Sequence, residues 1–106
     1  MKILIVEDHV REATHLQDTL LALGYHAPAV AGTFDEAVAC YVDYQPDISI
    51  IDVYLNGKPD GILFANEINK HGSAKKPFLF LTSVNDATTF KLATLTTPYS
   101  YLLKPF

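Results

Sequence analysis

The chain has 106 residues, 49% of them apolar and 19% charged, with a formal net charge of -4. That length holds one domain, large enough to bury a core without staples. The charge gives no basic footprint for nucleic acid, and the single cysteine, Cys40, leaves no partner for an internal disulfide.

The chain opens on a short β-branched run, Lys2 to Val6, followed at once by Glu7 and Asp8. The run is too short for a signal peptide or a membrane span, so the expected location is cytoplasmic, with no membrane contact. Ala13, Leu16, Leu20 and Leu23 fall on one helical face, and Gly24 supplies a stop. A weaker strand follows over His26 to Ala31, and its Pro28 suits a sheet edge. Thr33 and Glu36 read as a capping box for a second helix, whose apolar face is Phe34, Ala37, Val38 and Tyr41. Ile48 to Asp52 is the third strand. Turn formers then run through Asn56-Gly57, Lys58-Pro59 and Asp60-Gly61. Ile62, Ala65 and Ile68 mark a third helix that ends near Gly72. Phe78 to Thr82 is the fourth strand, with Phe78 and Phe80 as core. Asn85 and Asp86 cap a fourth helix around Phe90 and Ala93, in which Thr88, Thr89 and Thr94 lower helix propensity. Tyr99 to Leu103 is the fifth strand, and Lys104, Pro105 and Phe106 follow it.

Continuous apolar strands alternating with helices imply an α/β domain whose parallel sheet is covered on both faces. Glu7, Asp8, Asp52, Thr82 and Lys104 all fall at the carboxyl ends of strands. In such a sheet those ends share one edge, where ligands bind. Crowded carboxylates raise one another's pKa or recruit a cation, and hard oxygen donors suit Mg²⁺. A lysine and a threonine beside them suit phosphoryl transfer onto a carboxylate.

The segments "ILIVEDH", "IIDVYLNGKPDGI", "LTS" and "YLLKPF", in this order, resemble the receiver domain of two-component response regulators over Lys2 to Phe106. The resemblance implies a flavodoxin-like doubly wound sheet of order 2-1-3-4-5. It implies that Asp52 accepts a phosphoryl group from a sensor histidine kinase or phosphotransfer protein. Asp8 would bind Mg²⁺ directly, Glu7 mainly through water, and the Tyr54 main-chain carbonyl would be a further ligand. Lys104 and Thr82 would hold phosphoryl oxygens, with Tyr101 at the switch-aromatic position and a cis Lys104–Pro105 bond. Thr82 turning inward would vacate space for Tyr101. The output would be altered partner binding, or homodimerisation through the fourth-helix and fifth-strand face. The stretch "TTPYSYLL" departs from the family's frequent Gly-Ala pair, and Pro98 and Tyr99 change the entry to the last strand. Tyr54 and Val84 are expected to shield the acyl phosphate from water.

The family's fifth helix is absent from the sequence. The expectation is a domain over residues 1–106 truncated before that helix, with one sheet face bare or covered by a neighbour. His9, His15, His26 and His71 lack metal-ligand spacing, and His9 reads as a solvated residue opening the first helix. Two other readings compete with the signalling one. A phosphorylation-independent interaction module would need only the fold. An Asp-nucleophile phosphatase would need a second aspartate where Tyr54 stands. The domain is therefore expected to be a phosphoacceptor rather than a turnover enzyme.

Overall fold

The computed structural model describes residues 1–26 and 28–105, with the side chain of Ser73 also left aside. The Ala27 part of the expected second strand and the Phe106 end of "YLLKPF" thus lie outside the described residues. Five parallel strands form one sheet: β1 (Ile3–Val6), β2 (Ala29–Ala31), β3 (Ile48–Ile51), β4 (Phe78–Thr82) and β5 (Tyr101–Leu103). Their order is β2-β1-β3-β4-β5, the flavodoxin-like topology. β2 and β5 are the edges, as Pro28 suggested for β2. That strand is shorter than expected, because pairing with β1 begins only at Ala29.

The helices are α1 (Val10–Ala22), α2 (Phe34–Tyr44), α3 (Asp60–Asn69) and α4 (Ala87–Thr94). None is long and apolar enough to cross a membrane. In α1, Ala13 and Leu16 are buried and Leu20 packs beside them, but Leu23 is 69% exposed. Leu23 is the C-cap, where the chain is already leaving the helix. The Gly24 amide donates to Leu21 and the Tyr25 amide to Leu20, a Schellman ending that Gly24 permits with φ of 96°. α2 opens on Thr33, whose hydroxyl accepts from the Glu36 amide at 3.1 Å while Glu36 Oε1 accepts from the Gly32 amide at 2.9 Å. Asp86 caps α4 by accepting from the Thr89 amide at 2.9 Å.

The two faces of the sheet are unequally covered. Leu4, Val6, Ile51, Phe78 and Phe80 point to one side and pack with α2, α3 and Ala93 of α4. Ile5 and Leu81 point to the other, where α1 contributes Ala13 and Leu16. There Ile50 and Leu79 are only partly buried and Leu102 is exposed.

Asp60-Gly61 is a helix start rather than a turn, since α3 begins at Asp60. The reason lies in tertiary packing. The Gly61 amide donates to the Val53 carbonyl at 3.0 Å, and a Cβ at Gly61 would stand 1.9 Å from the Asp52 carbonyl oxygen. Only a residue without Cβ lets α3 close on the end of β3. Gly61→Ala should therefore lower stability by about 3 kcal/mol, the upper part of the usual overpacking range. Urea unfolding followed by circular dichroism measures this, and an unshifted midpoint would contradict it.

Candidate phosphoacceptor site

Backbone pairing runs one residue past the strand ends. The Glu7 amide donates to Ala31, the Asp52 amide to Val6 and the Lys104 amide to Thr82, each at 2.9 Å. Three side chains far apart in sequence are thereby set on one edge by ladder geometry alone. Glu7, Asp8 and Asp52 each offer a carboxylate oxygen, and these oxygens lie within 4.8 Å of one another. Lys104 Nζ reaches into this cluster from the far side. It donates to Glu7 Oε1 at 2.6 Å and to Asp52 Oδ2 at 2.9 Å. The peptide bond that follows it, Lys104–Pro105, is cis.

Burial divides these groups electrostatically. Desolvation pushes the Glu7 carboxyl above its ordinary value, with Asp52 adding repulsion and Lys104 opposing it. Asp8 is desolvated too, but the Asn56 amide donates to its Oδ2 at 3.0 Å and the carboxyl ends below its ordinary value. Burial acts to lower Lys104, and its contacts with Glu12, Glu7 and Asp52 more than offset that, so it ends well above the ordinary lysine value. The lysine therefore stays charged throughout the range in which the carboxylates titrate.

Asp8 Oδ1 is buried without a hydrogen bond, with His9 Nδ1 3.4 Å away. An unsatisfied carboxylate oxygen beside two further carboxylates, with oxygen donors throughout, fits a hard divalent cation such as Mg²⁺. Tyr54 follows two residues after Asp52 with its ring exposed. Thr82 is fully buried, and its Oγ1 accepts from the Val84 amide at 3.4 Å. Tyr101 donates its hydroxyl to the Val84 carbonyl at 2.6 Å, and its ring packs between Phe80 and Phe90. Val84 thus joins the two expected switch residues. The sequence pattern did not show this, because the loop between β4 and α4 carries no periodicity.

Three contributors escaped the sequence reading. Asn56 was taken as plain turn, yet its amide holds Asp8. Asn56 and Gly57 have φ of 54° and 78°, the signs of a type I′ turn, and Leu55 and Lys58 close it with paired hydrogen bonds. His9 is solvated as expected, but it is more than a helix opener. Its Nδ1 lies 3.3 Å from Glu7, 3.4 Å from Asp8 and 3.2 Å from Glu12. Glu12, unremarked in sequence, sits 2.8 Å from Lys104 Nζ. Its place in the first turn of α1 was the available signal, since that turn starts where β1 ends. His15 lies on α1 outside the described cluster, and His71 packs against Tyr41.

The chain matches the family model described as response regulator receiver domain over residues 3–106. It belongs to the response regulator receiver family. It is 30% identical to the probable C4-dicarboxylate response regulator DctR of Bacillus subtilis (strain 168), over 99% of this chain and 46% of that protein. The receiver thus spans about half the length of this curated relative. Among solved structures it resembles the signal receiver domain of a modulated diguanylate cyclase from Desulfovibrio desulfuricans G20, with 38% identity and a TM-score of 0.84, covering 98% of this chain and 81% of that one. It also resembles the BeF3-activated receiver domain of Klebsiella pneumoniae RstA, with 25% identity and a TM-score of 0.86, covering 100% and 87%.

The carboxylates around His9 raise its imidazole above the ordinary 6.5, Asp8 contributing most. Removing a negative neighbour favours the neutral ring, so Asp8→Asn should move the His9 titration midpoint downward. NMR titration of the His9 ring protons checks this. A midpoint that stays in place would show that Asp8 does not govern His9.

Proposed function

We propose that this receiver is a phosphoacceptor switch in which Asp52 takes a phosphoryl group from the phosphohistidine of a sensor kinase or phosphotransfer protein. One observation carries the reading: Lys104 reaches from beyond β5 to within 2.9 Å of Asp52, inside an acidic trio. An Asp52 oxygen bonds to phosphorus as the bond from phosphorus to the donor nitrogen breaks, and that nitrogen leaves with the bonding pair. Lys104 holds Asp52 Oδ2, so the other oxygen is the candidate nucleophile. Asp8 and Asp52, with Glu7 acting through water and the Tyr54 carbonyl, would hold Mg²⁺. The bound ion would neutralise charge on the transferring group.

The phosphoryl group adds nearly two negative charges and three acceptor oxygens. Thr82 can turn to donate its hydroxyl to a phosphoryl oxygen, and the turn would give up the long contact its Oγ1 accepts from the Val84 amide. Because Val84 also receives the Tyr101 hydroxyl, that change is felt at Tyr101 and α4. The equilibrium between the two packings shifts only as far as phosphate binds them differently. α4 and β5 leave Phe90, Leu92 and Leu103 exposed, which suits a readout through partner binding or homodimerisation there. In this structure the Tyr101 ring is already lodged against Phe80 and Phe90, so the switch would adjust an inward ring rather than recruit an outward one.

Incubation with acetyl phosphate and Mg²⁺ should give a phosphorylated species on Phos-tag gels that Asp52→Asn abolishes. Multiple-turnover release of phosphate from unrelated small substrates would instead show an enzyme. In a second measurement, Tyr54→Asn should speed loss of the phosphoryl group several-fold by opening the site to water. An unchanged dephosphorylation rate would remove Tyr54 from that role. Tyr101→Ala should leave phosphorylation intact and blunt the phosphorylation-dependent change in association, followed by analytical ultracentrifugation.

A further inference from the structure

Lys104 Nζ has three N–H donors and no acceptor. Three carboxylates surround it: Glu7 at 2.6 Å, Glu12 at 2.8 Å and Asp52 at 2.9 Å. Three negative charges therefore already share this one cation before any phosphoryl oxygen arrives. The contacts to Glu7 and Asp52 are hydrogen bonds within the buried pocket. Glu12 stands apart from both. It lies on the first turn of α1, its side chain is 43% exposed, and its other oxygen, Oε2, is 3.2 Å from His9 Nδ1.

The three partners differ in what their release costs. A buried carboxylate left without its cation keeps its desolvation penalty. Glu7, buried beside Lys104, is in that position. An exposed carboxylate returns to water with little loss, since surface ion pairs contribute little. Glu12 also keeps His9 when it lets the lysine go. It is therefore the partner that yields, and until it yields it competes for the charge that the phosphoryl group needs.

We propose that Glu12 is a positioning residue that holds Lys104 in the unphosphorylated protein and surrenders it to phosphoryl oxygens, so that it sets how readily the site accepts a phosphoryl group. The inference rests on the phosphoacceptor reading above. Glu12 reaches the proposed metal ligands Glu7, Asp8 and Asp52 only by way of Lys104 and His9, and it acts through Lys104.

Beryllium fluoride with Mg²⁺, titrated into the full chain and followed by NMR, reports affinity for a phosphoryl-like group at equilibrium. Two variants separate contact from charge. Glu12→Gln removes the charge, whereas Glu12→Asp keeps it and withdraws the carboxylate from Lys104 by one methylene. Both should bind the probe about two- to fivefold more tightly than wild type, the scale of a partly exposed ion pair. Tighter binding by Glu12→Gln alone would assign the effect to the general field and overturn the proposal. Unchanged or weaker binding by both would overturn it as well, by showing Glu12 to be idle or a support for Lys104. Asp52→Asn is the control for the underlying reading. A wild-type protein that fails to bind the probe would sink the phosphoacceptor reading, and the role of Glu12 with it.

Discussion

One ammonium group inside a ring of carboxylates organises the functional pole of this protein. Glu7, Asp8 and Asp52 bring oxygens within 4.8 Å of one another, where like charges at an effective dielectric near 20 repel by about 3 kcal/mol per pair. Lys104 is the cation that makes the arrangement tolerable. It enters from an edge strand and crosses over β4 to reach residues on β1 and β3. Leu16, Ile50 and Leu81 line the same small cavity as Lys104, Glu7, Glu12 and Asp52.

Around this fixed point the loops carry the adjustable chemistry. The Asn56-Gly57 turn brings a backbone amide to Asp8 and holds that carboxylate low while Glu7 is pushed high. Gly61 lets α3 approach the Asp52 carbonyl and so fixes the end of β3 from behind. Val84 offers its amide to Thr82 and its carbonyl to Tyr101. A single loop residue thus bonds both to Thr82 at the end of β4 and to Tyr101, whose ring packs against Phe90 of α4. The sheet supplies positions, and the short loops supply the hydrogen bonds that hold Asp8, Thr82 and Tyr101.

Much of this was legible in advance because the strands are continuous apolar runs; β1 is buried throughout, whereas the edge strand β5 leaves Leu102 and Leu103 exposed. β4 matches its expected span residue for residue, and the other strands differ only at their ends. Those ends depend on where a neighbour stops pairing, as at β2, which waits for Ala29. The apolar periodicity of α1 held through Leu20 and failed at Leu23, because periodicity does not register that a Schellman ending has already turned the chain away. The placement of Asp60-Gly61 failed for a related reason. Its meaning depends on the Asp52 carbonyl, which stands against it only in the folded chain.

The sequence by itself determined the α/β alternation, a parallel sheet and the gathering of Glu7, Asp8, Asp52, Thr82 and Lys104 on one edge. These follow from hydrophobic period and from polar residues placed just after strands, both local properties of the chain. Only the tertiary structure decided which carboxylates face the lysine. Glu12 and His9 joined the cluster because α1 starts close behind β1; the sequence marks that nearness, but not which charged groups the N-cap and first turn meet. Helix and strand patterns report which side of an element is buried. They do not report which charged groups from different elements arrive within 3 Å of one another, and that distance is where electrostatics in a poorly solvated pocket becomes decisive.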